Sequence, residues 1–288
     1  MTSAAAARTS WRDYDRHTLD LQYSPSSRVR SLQAYLDEYV ARSAAARAMG
    51  RARAGLPFGI GAHEKLDFFP ADAPTDAALV VFVHGGNWQA LSRTESAFAA
   101  PAVQRAGAAF AAIDYGLAPQ TGLPEMIASV RRSLTWLAEH AGELGFSPRR
   151  IHVAGSSAGA HLTAAAVLTG WAARPAVAGC VLLSGMYDLE PVQRSYVNEA
   201  LGLDMSRARL LSPVRHLASA LPPVVIARGD NETEEYQRQH GEMVRALRGR
   251  TRVTEVVAVG RNHFDLPYDL AVPGSALGDA VLRQMGLC

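Results

Sequence analysis

From residue 78 onward the chain repeats one pattern: a short, continuous apolar run, a polar turn, then apolar residues spaced three and four apart. The runs are Ala78–Val83, Ala108–Ile113, Ile151–Ala154, Val177–Leu183, Pro223–Ala227 and Val253–Val259. Runs that are apolar without alternation suit strands covered on both faces, as in a parallel sheet. Between them, Ile127, Val130, Leu134 and Leu137 mark one helix face, which ends before Gly142 and Gly145. Strand and helix in regular alternation predict a mostly parallel, doubly wound α/β sheet. The interval between Leu183 and Pro223 breaks that rhythm with nearly forty residues containing several prolines. An excursion of that length at the carboxyl end of a strand builds a binding surface, so residues 185–222 are expected to select the substrate.

Residues 1–60 read differently. They are rich in Ala, Arg and Ser, and Leu32, Tyr35, Leu36 and Tyr39 fall at helix spacing within the stretch Ser31–Met49. This segment is expected to be a helical flap packing on a catalytic domain that spans residues 61–288. Its basic cluster, Arg42, Arg47, Arg51 and Arg53, reads as a solvated helix face.

Composition narrows the function classes. With 48% hydrophobic and 19% charged residues, the 288-residue chain is apolar enough for a large core. A formal net charge of +2 supplies no field to draw in nucleic acid or an anionic membrane, so the expected partner is a small molecule, with a homodimer left open. Cys180 and Cys288 cannot form a disulfide framework, and Cys180 lies inside an apolar run as a core thiol. No sustained apolar leader and no run of about 18 apolar residues is present, so a cytoplasmic location is expected.

The chemistry is carried by three separated segments. Gly155-Ser156-Ser157-Ala158-Gly159 matches G-x-S-x-G between a strand and the helix-like Ala160–Trp171, the context a nucleophile elbow requires. The glycines are expected to permit the tight turn that lifts Ser157 out of the sheet. Upstream, the first run enters His84-Gly85-Gly86-Asn87-Trp88, where glycines let backbone N–H groups converge on an oxyanion. Gly86, Asn87 and Ala158 are the expected donors, with Gly85 shaping the loop. His263 is the one histidine just past the last strand, where a base following serine and acid in chain order belongs. His84 and His161 read instead as packing or loop-bonding rings. After the Pro223–Ala227 run, Asp230 and Glu232 both offer a carboxylate, and the one not used by the histidine is expected to cap the helix that starts near Thr233. Trp88, Tyr115, Tyr187 and Phe264 lie near these loops as candidate substrate-stacking rings. The chain carries no H-E-x-x-H, C-x-x-C or G-x-x-x-x-G-K, and no G-x-G-x-x-G behind a strand, so neither metal nor nucleotide cofactor is called for.

Together these motifs resemble the α/β-hydrolase superfamily, in the branch with an H-G-G-x-W loop that includes kynurenine formamidases (arylformamidases) and hormone-sensitive-lipase-like esterases. The resemblance covers roughly residues 60–270. Glu232-Thr233-Glu234-Glu235-Tyr236-Gln237-Arg238-Gln239 is similar to the formamidase segment in which the acid precedes a glutamate, an aromatic residue and an Arg-Gln pair. Ser184–Pro191, Asn198 and Ser212-Pro213 are similar to that branch's excursion. The resemblance implies a Ser157, Glu232, His263 triad, with Glu232 favoured over Asp230, and hydrolysis of an aryl formamide such as N-formylkynurenine. Asn87 stands where formamidases usually carry an aromatic residue, which implies a more polar acyl side of the pocket. A small-acyl carboxylesterase, or an amidase, transacylase or cyclase of specialised metabolism, would use the same machinery, and a catalytically silent binding protein would show a broken triad.

Overall fold

The computed structural model describes residues 11–72, 76–171 and 175–287; Cys288 lies outside them. Eight strands form one sheet: β1 (Arg53–Pro57), β2 (Lys65–Phe69), β3 (Leu79–Val83), β4 (Ala109–Ile113), β5 (Ile151–Ser156), β6 (Val177–Leu183), β7 (Val224–Asn231) and β8 (Val253–Asn262). Their order is β1-β2-β4-β3-β5-β6-β7-β8. The six runs read from the sequence are the parallel strands β3 to β8. Two further strands, β1 and β2, join antiparallel beyond β4. The sheet therefore begins at Arg53, inside the segment expected to be flap.

Every residue of β3, β4 and β5 is buried. Period-two alternation divides them between two layers: Leu79, Val81 and Val83 face one core, while Val80 and Phe82 face the other. Helix Leu123–Glu139 covers the first layer with Met126, Val130, Leu134 and Leu137. Helix Glu234–Leu247 joins it there through Tyr236, Met243 and Leu247. On the opposite face, helix Ala276–Met285 buries Leu277, Val281 and Met285. At the edge of the sheet, β8 alternates and leaves Val257 and Val259 exposed. Cys180 is fully buried in the first core layer.

The N-terminal segment folds as α1 (Arg16–Gln22) and α2 (Leu32–Ala48), each opened by a side-chain cap, from Asp15 and Ser31 respectively. Just past α1, Tyr23 is fully buried; its hydroxyl donates to Glu235 Oε2 at 2.8 Å and accepts from Gln239 Nε2 at 3.0 Å, which ties the segment to the Glu234–Leu247 helix. The solvated-face reading of the arginine cluster fails at Arg47. Its Nε donates to buried Asp67 at 2.9 Å, and Nη2 donates to the Arg93 carbonyl at 2.8 Å. Asp67 needs that charge because its other oxygen already serves Arg93 and the Gly55 amide deep beneath the strand edge. Arg42, Arg51 and Arg53 do form exposed ion pairs, with Glu38, Asp72 and Glu143.

Candidate active site

β5 ends at Ser156, and Ser157 turns the chain into helix Ala158–Thr163. Ser157 takes φ 56° and ψ −119°, a conformation that costs a residue with a β-carbon about 1–3 kcal/mol and persists only where its surroundings enforce it. The Ser157 amide donates to the Leu183 carbonyl at 2.8 Å, and its own carbonyl accepts from Ala160 at 3.0 Å. The strained φ belongs to the serine, not to the flanking glycines. Gly155 and Gly159 are required for another reason: a β-carbon on Gly155 would collide with the Gly159 carbonyl, and one on Gly159 with the carbonyls of Val83 and His84. The glycines let strand, elbow and neighbouring loop pack backbone to backbone.

The loop after β3 runs Gly86, Asn87 and Trp88 through positive φ of 99°, 51° and 60°. At Gly86 a β-carbon would strike the Ala90 carbonyl, so no other residue fits that turn. Two aromatic rings brace the loop from behind. The Tyr115 hydroxyl donates to the His84 carbonyl at 2.9 Å, and its ring stacks on His84 at 4.3 Å. Trp88 is fully buried, edge-on to His161 at 5.2 Å. His84 Nδ1 donates to the Gly85 carbonyl and His161 Nε2 to the Leu211 carbonyl, as expected of structural rings. Burial pushes the His161 pKa down to about 4 and lowers that of His84, so both stay neutral near pH 7. Gly85 packs against Ser157 itself, while Ala158 opens the helix, where the first amides have no partner within the helix.

His263 follows β8 directly. The turn that carries it is closed by Asn262, whose Oδ1 accepts from the Phe264 amide at 2.8 Å and whose own amide donates to Asp265 Oδ1 at 2.7 Å. His263 Nδ1 donates to Glu232 Oε2 at 3.0 Å, and both residues are buried. The other oxygen of Glu232 accepts from the Ser184 hydroxyl and from the Gly229 amide at 3.4 Å. With Nδ1 occupied, Nε2 is the ring nitrogen left for a reacting group. Asp230 is exposed and turned away: its Oδ1 accepts from the Gly260 amide at 3.0 Å, and it does not cap the following helix, whose N-cap Thr233 makes no side-chain capping bond and donates instead to the Gln22 carbonyl at 2.6 Å.

A cavity of about 250 Å³ opens onto Ser157, His263, Gly85, Gly86 and Asn87. Of the four candidate stacking rings, only Phe264 lines it. Trp88, Tyr115 and Tyr187 correct the expectation: each is buried behind the loops, Tyr187 directly under Gly185, because packing the loop backbone takes the ring faces a substrate would need. The cavity's outer wall is the N-terminal segment, with Leu32, Leu36 and Tyr39 of α2. Tyr39 donates to the Phe264 carbonyl at 2.5 Å and Tyr35 accepts from Asn262 Nδ2 at 2.9 Å, so α2 is fastened to the turn carrying His263.

One residue at the site was given no role from the sequence. Tyr236 is buried, its ring lies edge-on to His263 at 4.6 Å, and its phenol, beside the Ser157 side chain, donates to Met186 Sδ at 3.6 Å. Burial, reinforced by the Glu232 charge, raises its pKa and keeps the phenol protonated. Its spacing of four residues from Glu232 in the formamidase-like segment was the available signal.

A model of the alpha/beta hydrolase fold matches residues 80–263. The chain belongs to the alpha/beta hydrolase fold family. This hydrolase is 30% identical to kynurenine formamidase of Danio rerio over 96% of its own length and 98% of that protein. The Salmo salar kynurenine formamidase matches at the same identity and coverage. Hormone-sensitive lipase of Bos taurus is 32% identical over 58% of this hydrolase and 21% of the lipase. Among solved structures, a protein from Silicibacter sp. tm1040 assigned as a thioesterase superposes with a TM-score of 0.81 at 28% identity, covering 91% of this chain and 98% of that one. Esterase B from Lactobacillus rhamnosis shares the fold at a TM-score of 0.71 and 17% identity, over 91% of this chain and 95% of that one. Among the described residues of the hydrolase, no three His, Cys, Asp or Glu side chains are grouped to hold a metal, and no helix is long and apolar enough to cross a membrane.

Proposed function

We propose that this hydrolase cleaves an aryl formamide through an acyl-enzyme formed on Ser157. His263 Nε2 takes the Ser157 proton as Oγ attacks the formyl carbon. The backbone amides of Gly86, Asn87 and Ala158 receive the oxyanion, Gly85 keeping the loop close to the serine. Glu232 stabilises the imidazolium that forms, through the Nδ1 bond. His263 then protonates the departing arylamine. A water attacks the formyl ester by the same route, releasing formate and restoring Ser157.

The observation that carries this reading is the bond from buried His263 to buried Glu232 on the cavity that also holds Ser157. The near full-length similarity to kynurenine formamidases supports a formamide over other acyl groups. The apolar wall of Leu32, Leu36, Phe82 and Phe98 supports a second reading, a small-acyl carboxylesterase. Measuring kcat/KM on N-formylkynurenine, a neutral aryl formamide and p-nitrophenyl acetate separates the two, since a formamidase favours at least one formamide over the activated ester. The Ser157→Ala protein is expected to lose turnover on all of them, and retention of most activity would remove Ser157 from the chemistry.

A further inference from the structure

The cavity in front of Ser157 is walled by aliphatic and aromatic side chains and by neutral polar ones such as Ser26, Asn87, Ser96 and Tyr196. Among the described residues no Asp, Glu, Lys or Arg lines it. Several charged side chains that neighbour lining residues along the chain are engaged elsewhere. Asp265 accepts from Asn262, Glu95 from Ser92 and Thr94, Arg28 donates to Asn231, and Arg42 pairs with Glu38. Of the two histidines on the wall, His263 is bonded to Glu232 and His84 to the Gly85 carbonyl. A carboxylate or ammonium placed in this cavity would lose water and gain no counter-charge, which is far costlier than burying a neutral ring. At about 250 Å³ the space exceeds the roughly 150 Å³ of an apolar cavity that holds benzene, so one substituted ring fits.

Building on the formamidase reading of the same site, we infer that the enzyme sorts substrates by charge, taking uncharged aryl formamides or small aryl esters and discriminating against those with a carboxylate or ammonium on the group that enters the cavity. α2 contributes to this selection, because the side chains it gives the lining, Leu32, Leu36 and Tyr39, carry no charge.

The test is steady-state kinetics of the intact wild-type chain on two matched pairs. One pair is 2′-formamidoacetophenone against N-formylkynurenine, and the other is phenyl acetate against 4-acetoxybenzoate. Within each pair kcat/KM is expected to be about tenfold or more higher for the neutral member, a difference of about 1.4 kcal/mol or more. Charged members equal to or better than their neutral partners would overturn the inference. The formamidase reading fails separately, if both formamides turn over more slowly than phenyl acetate, and the ester pair still reports on charge. An enzyme inert on all four compounds would overturn both.

Discussion

The Tyr236 ring stands edge-on to the His263 imidazole with centroids 4.6 Å apart, and its phenol, beside the Ser157 side chain, donates to Met186 Sδ at 3.6 Å. One buried tyrosine thus packs on the proposed base and stands beside the proposed nucleophile. Its hydroxyl stands where it can orient the serine side chain, and its ring limits rotation of the imidazole. Tyr236→Phe keeps the ring and removes the hydroxyl, whose neutral hydrogen bond contributes about 0.5–1.5 kcal/mol. A fall in kcat of roughly two- to tenfold with KM and thermal midpoint little changed is expected; an unchanged kcat would assign Tyr236 to packing alone.

Glu232 and Asp230 are two residues apart, yet only Glu232 meets His263. Glu232→Gln preserves the shape but removes the charge that favours the imidazolium, and kcat is expected to fall by about 10²–10⁴. Glu232→Asp keeps the charge on a shorter arm and should fall in between. Asp230→Asn should leave kcat/KM within about twofold, and a collapse there comparable to that of Glu232→Gln would reverse the assignment.

Arg47 joins α2 to the sheet through Asp67, which is almost wholly buried between Arg47 and Arg93. Removing one partner of a buried pair is strongly destabilising, about 3–5 kcal/mol, and Arg93 remains to soften the loss. Arg47→Ala is therefore expected to lower the urea unfolding free energy by about 3 kcal/mol or somewhat less. Because α2 forms the outer wall of the cavity, KM should rise with it; an effect on neither quantity would show that the flap is held by its apolar contacts.

Burial pushes the pKa of His152 and His161 down to about 4 each. Between the ordinary histidine value near 6.5 and about 4, the unfolded chain binds protons at these positions and the folded chain does not. Stability should therefore be full above about pH 6.5 and decline as pH falls toward 4, by up to roughly 3 kcal/mol per histidine. Denaturant unfolding at pH 7, 5.5 and 4.5 reads this directly. A flat profile for wild type, or an equal slope in His161→Gln, would assign the loss to other groups.

What the sequence alone determined is whatever local periodicity and chain order encode. Burial on both faces requires unbroken apolar runs, so all six parallel strands were legible, and β6 has the bounds read for it. A serine between strand and helix, and a histidine just past the last strand, are positions along the chain, so Ser157 and His263 were legible too. Contacts across the fold were decided by the tertiary structure. Whether Asp230 or Glu232 meets an imidazole 31 residues on depends on how β7 turns relative to β8, and composition cannot encode that. The same holds for the aromatic rings: Phe264 faces the cavity while Trp88, Tyr115 and Tyr187 face the loop backbone, because each ring follows its own φ and ψ and the space its neighbours leave. Arg47 read as a solvated charge for the same reason, since the buried Asp67 that calls for it lies 20 residues away on β2, an antiparallel strand with no parallel-sheet signature.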